Sequence, residues 1–221
     1  MTTYRSKFER ELNDLHSKIL ELGDEIVQSI TLSLEALVTQ NKELAESVIN
    51  NDKDIKSMTD GVESAALKIL LRQQPIASDL RVISTALKMV TDMERIGVQS
   101  RDICAIVLHL CEEEYQTKLI RIPKMAEIVK IMVTLCIESF VSLDINLAKK
   151  VISMDQDVDD LFLSVKDNLI KMIRENPQYA DQAIYLMMVA KYLEKIGDHA
   201  ENIAEWVIFC KTGEKKQVKL I

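Results

Sequence analysis

Glu194, Asp198, Glu201 and Glu205 recur at i, i+4, i+7 and i+11. On a helix of 3.6 residues per turn they fall within roughly 60° of one another. Like charges at this spacing destabilise a helix by about 0.2–0.5 kcal/mol per pair, and no Lys or Arg falls on the same line. Such a stripe calls for solvent, a basic partner surface or a bound cation. Asp155 and Asp159 form a second i, i+4 pair, bordering the apolar stripe of Val158, Phe162, Val165 and Leu169. Antiparallel helices can bring the two pairs together, and an all-oxygen donor set suits Mg²⁺, Mn²⁺ or iron better than thiol-seeking metals. On spacing alone a solvated acidic face is the more ordinary reading; the placement of both pairs beside a packing surface adds some weight to a site.

The other reactive side chains carry less. His199 follows Asp198 but points away from Glu194, so it reads as a surface histidine. His16 and His109 have no evident partners, and the ten Met read as core filler. Cys104, Cys111, Cys136 and Cys210 show no C-x-x-C spacing and read as reduced core thiols. No phosphate-cradling Gly-rich loop, nucleophile elbow or H-E-x-x-H occurs, which points away from an enzyme.

The acidic residues need helices to position them, and the composition supplies them. Five Gly and three Pro in 221 residues are too few for the turns of an all-β fold. Leu, Ile, Ala, Glu, Lys and Met, which lose least on entering a helix, dominate. A content of 48% hydrophobic and 29% charged residues excludes disorder as the main state. A net charge of −7 argues against a nucleic-acid binder. The most apolar stretch, Ile131–Phe140, is interrupted by Glu138, so membrane insertion is not expected. The first residues carry no apolar signal core, and the expected location is the cytoplasm.

The chain also repeats itself. Val48–Ile55 recurs 103 residues later as Val151–Val158, and Met93–Gly97 recurs 100 residues later as Leu193–Gly197. Leu37 and Leu44 fall opposite Phe140 and Leu147 at the first offset. A period this long marks a duplicated domain rather than a solenoid. Each unit reads as three helices: about Tyr4–Val38, Asn41–Arg72 and Ser78–Cys111, then Pro123–Leu143, Asp144–Arg174 and Pro177–Lys211. Asn41, Ser78 and Asp144 serve as caps, and the Asn50–Asp52 cluster is a place where the second helix can kink or split. The expected architecture is all-α: two tandem, pseudo-symmetric three-helix bundles over residues 1–115 and 116–213, with a loose tail at 214–221.

The third helix of the second unit carries Leu186, Val189, Leu193, Ile196, Ala200, Ile203 and Val207 at 3-4 spacing. Beside them runs a line of small residues, Ala183, Ala190, Gly197 and Ala204. Together they form a wide apolar arc for two neighbours. Gly197, which costs about 1 kcal/mol against Ala inside a helix, implies close packing there, and Gly97 occupies the matching place.

At these residues the sequence resembles the PhoU family of phosphate-uptake regulators. The resemblance rests on Ala77–Arg81 (ASDLR), Thr91–Gly97 (TDMERIG) and Leu193–Glu205 (LEKIGDHAENIAE), with the paired segments around Asp52 and Asp155. It covers residues 5 to 213. It implies a cytoplasmic, commonly homodimeric adaptor that represses the phosphate-starvation response, linking the ATPase of the phosphate ABC transporter to a sensor histidine kinase. It also implies metal binding through E(D)-x-x-x-D motifs, carried here by Asp155, Asp159, Glu194 and Asp198, with Fe, Zn, Mn or Mg as the ions. The first unit keeps Asp52 and Glu94 but has Val98, Lys56 and Arg101 where the second has Asp198, Asp159 and Glu201. Its site is therefore expected to be degraded, binding metal weakly or not at all. Two alternatives remain: a metal-storage or oxidation bundle, although the Glu-x-x-His pairs of di-iron bundles are absent, and a helical scaffold or accessory protein of another transporter whose acidic stripe docks a basic surface.

Overall fold

The computed structural model describes residues 2–73, 75–116, 118–119 and 121–214, and all six of its α-helices are long. They are α1 (Thr2–Thr39), α2 (Lys42–Gln73), α3 (Ala77–Leu110), α4 (Arg121–Ser142), α5 (Ile145–Glu175) and α6 (Ala180–Thr212), with a 3₁₀ turn at Pro177–Tyr179 before α6. No strand occurs among the described residues, so the fold is all-α, as the composition requires. The tail at 214–221 lies outside the described residues apart from Glu214.

The duplication is visible in the tight turns. Gln40 and Leu143, 103 positions apart, both adopt φ 50°. The next residue in each copy closes the preceding helix, Asn41 N donating to Ala36 O at 3.0 Å and Asp144 N to Ser139 O at 2.9 Å. The same residue then opens the following helix: Asn41 Oδ1 accepts from Leu44 N at 3.0 Å, and Asp144 Oδ1 from Asn146 N at 2.7 Å. Ser78 does not cap α3. Ile76 occupies the cap position without any side-chain bond, and Ser78 lies inside the first turn. Nor does Asn50–Asp52 break α2, which runs through it uninterrupted; the apolar positions Val48, Ile55 and Val62 stay buried across it, and this packing outweighs the weak helix preference of Asn and Asp.

Within each half the three helices pack on one another, while α3 lies against α6 and α1 against α4. Among the described residues α2 and α5 touch only helices of their own half. One continuous core runs through both halves. Two polar links show that α3 and α6 are antiparallel: Arg81 Nε donates to Cys210 O at 3.1 Å, and Asp92 Oδ1 lies 2.8 Å from His199 Nδ1. His199 is thus not a free surface histidine, because its ring and Asp92 are only 20% and 17% exposed between the halves. His16 meets Phe140 edge-on and His109 stacks on Tyr185, so these histidines also have partners. Cys104, Cys136 and Cys210 are buried free thiols and Cys111 is half-buried. The Met are mostly core, but Met188 is exposed.

Gly97 and Gly197 sit where helices approach. A Cβ on Gly97 would stand 2.9 Å from Ile55 Cγ2 of α2. One on Gly197 would stand 3.2 Å from Asp155 Oδ1 of α5. The glycines thus seat α2 on α3 and α5 on α6, and the second seat puts a carboxylate directly against the helix it faces.

Candidate functional site

The α5–α6 groove gathers the acidic residues of the second half. The arc of α6 from Leu186 to Val207 is buried as its spacing predicts, and it sets Glu194, Asp198 and Glu201 along its edge, half-buried. Val158, Val165 and Leu169 anchor α5 in the same way and turn Asp155 and Asp159 toward α6. Burial, joined by repulsion from Glu201, Asp159, Asp198 and Glu194, pushes the Asp155 carboxyl up to about 7. Asp159 is raised for the same reasons, burial first, then Glu194 and Asp198, with Lys191 pulling against them. The two acidic pairs predicted from spacing face one another across the groove, with Asp155 Oδ1 set against Gly197 of α6 and close enough to the α6 acids to be repelled by them.

The sequence reading that no Lys or Arg relieves this stripe is corrected by geometry. Lys191 Nζ reaches Glu194 Oε1 at 2.5 Å, and Lys195 Nζ reaches Asp198 Oδ2 at 2.5 Å. Both lysines lie one turn away on α6, off the acidic line, but long enough to lean over it. The pairing with Asp198 raises the Lys195 ammonium. Glu194 Oε2 stays buried without a hydrogen-bond partner, with Lys195 Nζ 3.7 Å away.

These groups fit a hard cation in donor type and charge: mutually repelling carboxylates, one with an orphaned oxygen, beside a helix edge. As placed, no three described His, Cys, Asp or Glu side chains converge closely enough to hold an ion. Binding one requires Glu194 and Asp198 to turn from their lysines toward Asp155 and Asp159. His199, engaged with Asp92 on the opposite side of α6, is not among the donors.

The α2–α3 groove repeats the backbone and changes the electrostatics. Arg101 Nη1 binds Asp52 Oδ2 at 3.1 Å, and Lys56 Nζ binds Glu94 Oε1 at 2.9 Å. Both bridges cross from helix to helix. Glu94, through a hydrogen bond, raises the Lys56 ammonium; Asp102, through a second Arg101 contact at 2.8 Å, raises the guanidinium. The surviving acids of the first half are already neutralised from across the groove.

A family model described as "PhoU domain" matches residues 19–107 and again 122–207. The chain is 35% identical over 217 residues, 98% of both chains, to the phosphate-specific transport system accessory protein PhoU homolog of Clostridium acetobutylicum. It superimposes on the crystal structure of PhoU from Pseudomonas aeruginosa with a TM-score of 0.90 at 31% identity, covering 94% of this chain and 100% of that one. The phosphate transport system regulatory protein PhoU from Streptococcus pneumoniae shares the fold at a TM-score of 0.89 and 24% identity, over 96% and 100% of the two chains. Both family matches bracket one copy of the groove, and the matches run nearly end to end: the chain belongs to the PhoU family.

Proposed function

We propose that this chain is a non-enzymatic accessory protein of a phosphate-importing ABC transporter, restraining the phosphate-starvation response when phosphate is plentiful. The observation that carries this is kinship along the whole chain with relatives named accessory proteins of phosphate-specific transport. On this reading it works in the cytoplasm as a homodimer and couples the transporter's ATPase to a sensor histidine kinase. No described helix is long and apolar enough to cross a membrane, so contact with either partner is made from outside the bilayer core. The two grooves suit an adaptor with unlike partners, since one is neutralised and the other is acidic.

The acidic groove carries a second role in the same proposal. Asp155, Asp159, Glu194 and Asp198 take a hard cation, with Fe, Zn, Mn or Mg as the candidates, and Asp52 and Glu94 of the first half take none while Arg101 and Lys56 hold them. The orphaned Glu194 oxygen supports this role. Deleting the gene tests the regulatory reading. Alkaline phosphatase and transporter transcripts are expected to rise in phosphate-rich medium, and unchanged transcripts would overturn it.

A further inference from the structure

The antiparallel pair of α3 and α6 is finished differently at its two ends. At one end Arg81, near the start of α3, donates to Cys210 O near the end of α6 at 3.1 Å, and Lys88 Nζ stands 5.9 Å from the centre of the Trp206 ring. At the other end, the last turn of α3, the residues after it and the start of α6 border a cavity of about 220 Å³. His109 and Tyr185 give it a stacked pair of rings, with planes 2° from parallel and centroids 5.2 Å apart. Glu112, Glu113 and Asp181 give it three exposed carboxylates, and no Lys or Arg is among its lining residues.

Three acids by themselves are a solvated surface. The register of the helix pair gives these more meaning. Both helices run unbroken through Gly97 and Gly197, so the 100-residue offset that matches the glycines also matches Arg81 to Asp181 and His109 to Phe209. The position that holds a guanidinium at one end of the pair therefore holds a carboxylate at the other. The carbonyl matching Cys210 O is Leu110 O, which accepts from Gln40 Nε2 at 2.5 Å. The buried Gln182 is also engaged, accepting from Gln116 N at 2.9 Å and donating to Glu114 O at 3.1 Å. Glu112, Glu113 and Asp181 are left without an ion pair to any described residue. The start of α6 adds a partial positive charge, which Asp181 in its first turn offsets. Beyond the lining this end of the bundle is mixed: Lys42, Lys118, Arg121, Lys124 and Arg174 stand with Glu43, Glu114 and Glu175, and Lys171 is held by Glu175 at 3.7 Å. Contacts inside the cavity, not the wider field, set what it takes.

We infer that this cavity is a receptor for a guanidinium group, carried by an arginine of a partner protein or by free arginine. A planar cation lies flat on the His109–Tyr185 pair while its N–H groups address the carboxylates of Glu112, Glu113 and Asp181. A lysine ammonium matches the charge but not the flat rings. The size agrees: pockets for drug-sized ligands begin at about 300 Å³, and this smaller one takes a group the size of a side chain. The incoming cation supplies from outside what Arg81 supplies from within at the opposite end.

Titration of the isotope-labelled full chain with Nα-acetyl-arginine amide, free arginine and Nα-acetyl-lysine amide, followed by NMR, tests the assignment. The acetyl-arginine amide is expected to bind with a Kd on the order of 1 mM, shifting the amide signals of His109, Glu112, Glu113, Asp181 and Tyr185. The lysine probe should bind several-fold more weakly. Tighter binding of the amide than of free arginine assigns the cavity to an arginine within a partner chain, and the reverse assigns it to the free amino acid. Glu112→Gln and Glu113→Gln with Asp181→Asn should weaken binding roughly tenfold, and Tyr185→Leu roughly threefold. Asp181→Arg, which copies the Arg81 end, should abolish binding with unchanged circular dichroism and Tm, because residue 181 is exposed. Glu43→Gln, an exposed acid outside the lining, should change nothing. No binding of either arginine probe, equal binding of the lysine probe, signal shifts spread evenly over the surface, or full affinity in the triple carboxylate variant overturns the inference.

Discussion

The α2–α3 and α5–α6 grooves are two outcomes of one design. Each seats a helix on a glycine, and the acidic spacing complete in the second seam survives in the first only as Asp52 and Glu94. In the first half the counter-charges come from the opposite helix, so Arg101–Asp52 and Lys56–Glu94 tie α2 to α3. In the second half the acids of α5 face acids of α6, and the lysines that relieve them sit on α6 itself. The same carboxylates are therefore held across the seam in one copy and left with an electrostatic deficit in the other. Surface ion pairs are worth little, with a median of about 0–1 kcal/mol, so the first arrangement is a modest staple. The second stores repulsion that a proton or a cation can relieve.

The glycine seats give the largest expected difference. At Gly97 an added side chain meets the buried Ile55, which has nowhere to go. Gly97→Val is expected to destabilise by about 3 kcal/mol through overpacking, read as a lower urea midpoint. At Gly197 the neighbour is the half-buried Asp155 carboxylate, which can turn away. Gly197→Ala is expected to cost under about 1 kcal/mol, the gain in helix propensity offsetting part of the strain. Equal losses at the two seats would show that the second groove is as rigidly packed as the first.

Cation binding sharpens the contrast next. At a concentration a hundredfold above Kd, Mn²⁺ or Mg²⁺ is expected to stabilise the protein by about 2.7 kcal/mol, measured as a rise in Tm. Glu194→Gln with Asp198→Asn should abolish that rise while leaving the helical signal intact. Arg101→Glu with Lys56→Asp and Val98→Asp, which copies the second half's charges into the first, should add a second increment. A wild-type protein indifferent to every cation would leave the acidic groove as a docking face only.

The smallest effect is in pH. The Asp155 carboxyl titrates near 7 in the folded protein and near 4 when unfolded. The folded state therefore binds the proton more tightly. The associated stability is complete below about pH 4 and is lost as pH rises through about 7. Because the group is partly solvated, roughly 1–2 kcal/mol is expected rather than the full shift. Comparing wild type with Asp155→Asn in metal-free urea titrations isolates it, since the asparagine variant should lack this decline.

Much of this was legible in the residues. Repeats at long offset revealed the duplication, 3-4 spacing identified the buried arc of α6, and i, i+4 acids marked the faces that meet. Asn41 and Asp144 act as caps because a short side-chain oxygen ahead of an apolar run can satisfy the first free amides. Ser78 misled because the same chemistry two residues past the cap position has nothing to cap once the helix has started at Ala77. The left-handed Gln40 and Leu143 gave no signal, since neither is a glycine. His199 was misplaced for a related reason: its partner, Asp92, is remote in sequence and meets it only where α3 crosses α6.

By itself the sequence determined the all-helical state, the repeat and the composition of each acidic stripe, because these follow from local propensity, periodicity and counting. Tertiary structure decided which charges touch. Whether a lysine leans over a carboxylate from its own helix or reaches it across a seam depends on distances of a few ångströms, and Coulomb energy varies steeply over that range. Packing sets those distances, and it tied one seam across two helices while leaving the acids of the other to lysines of their own helix.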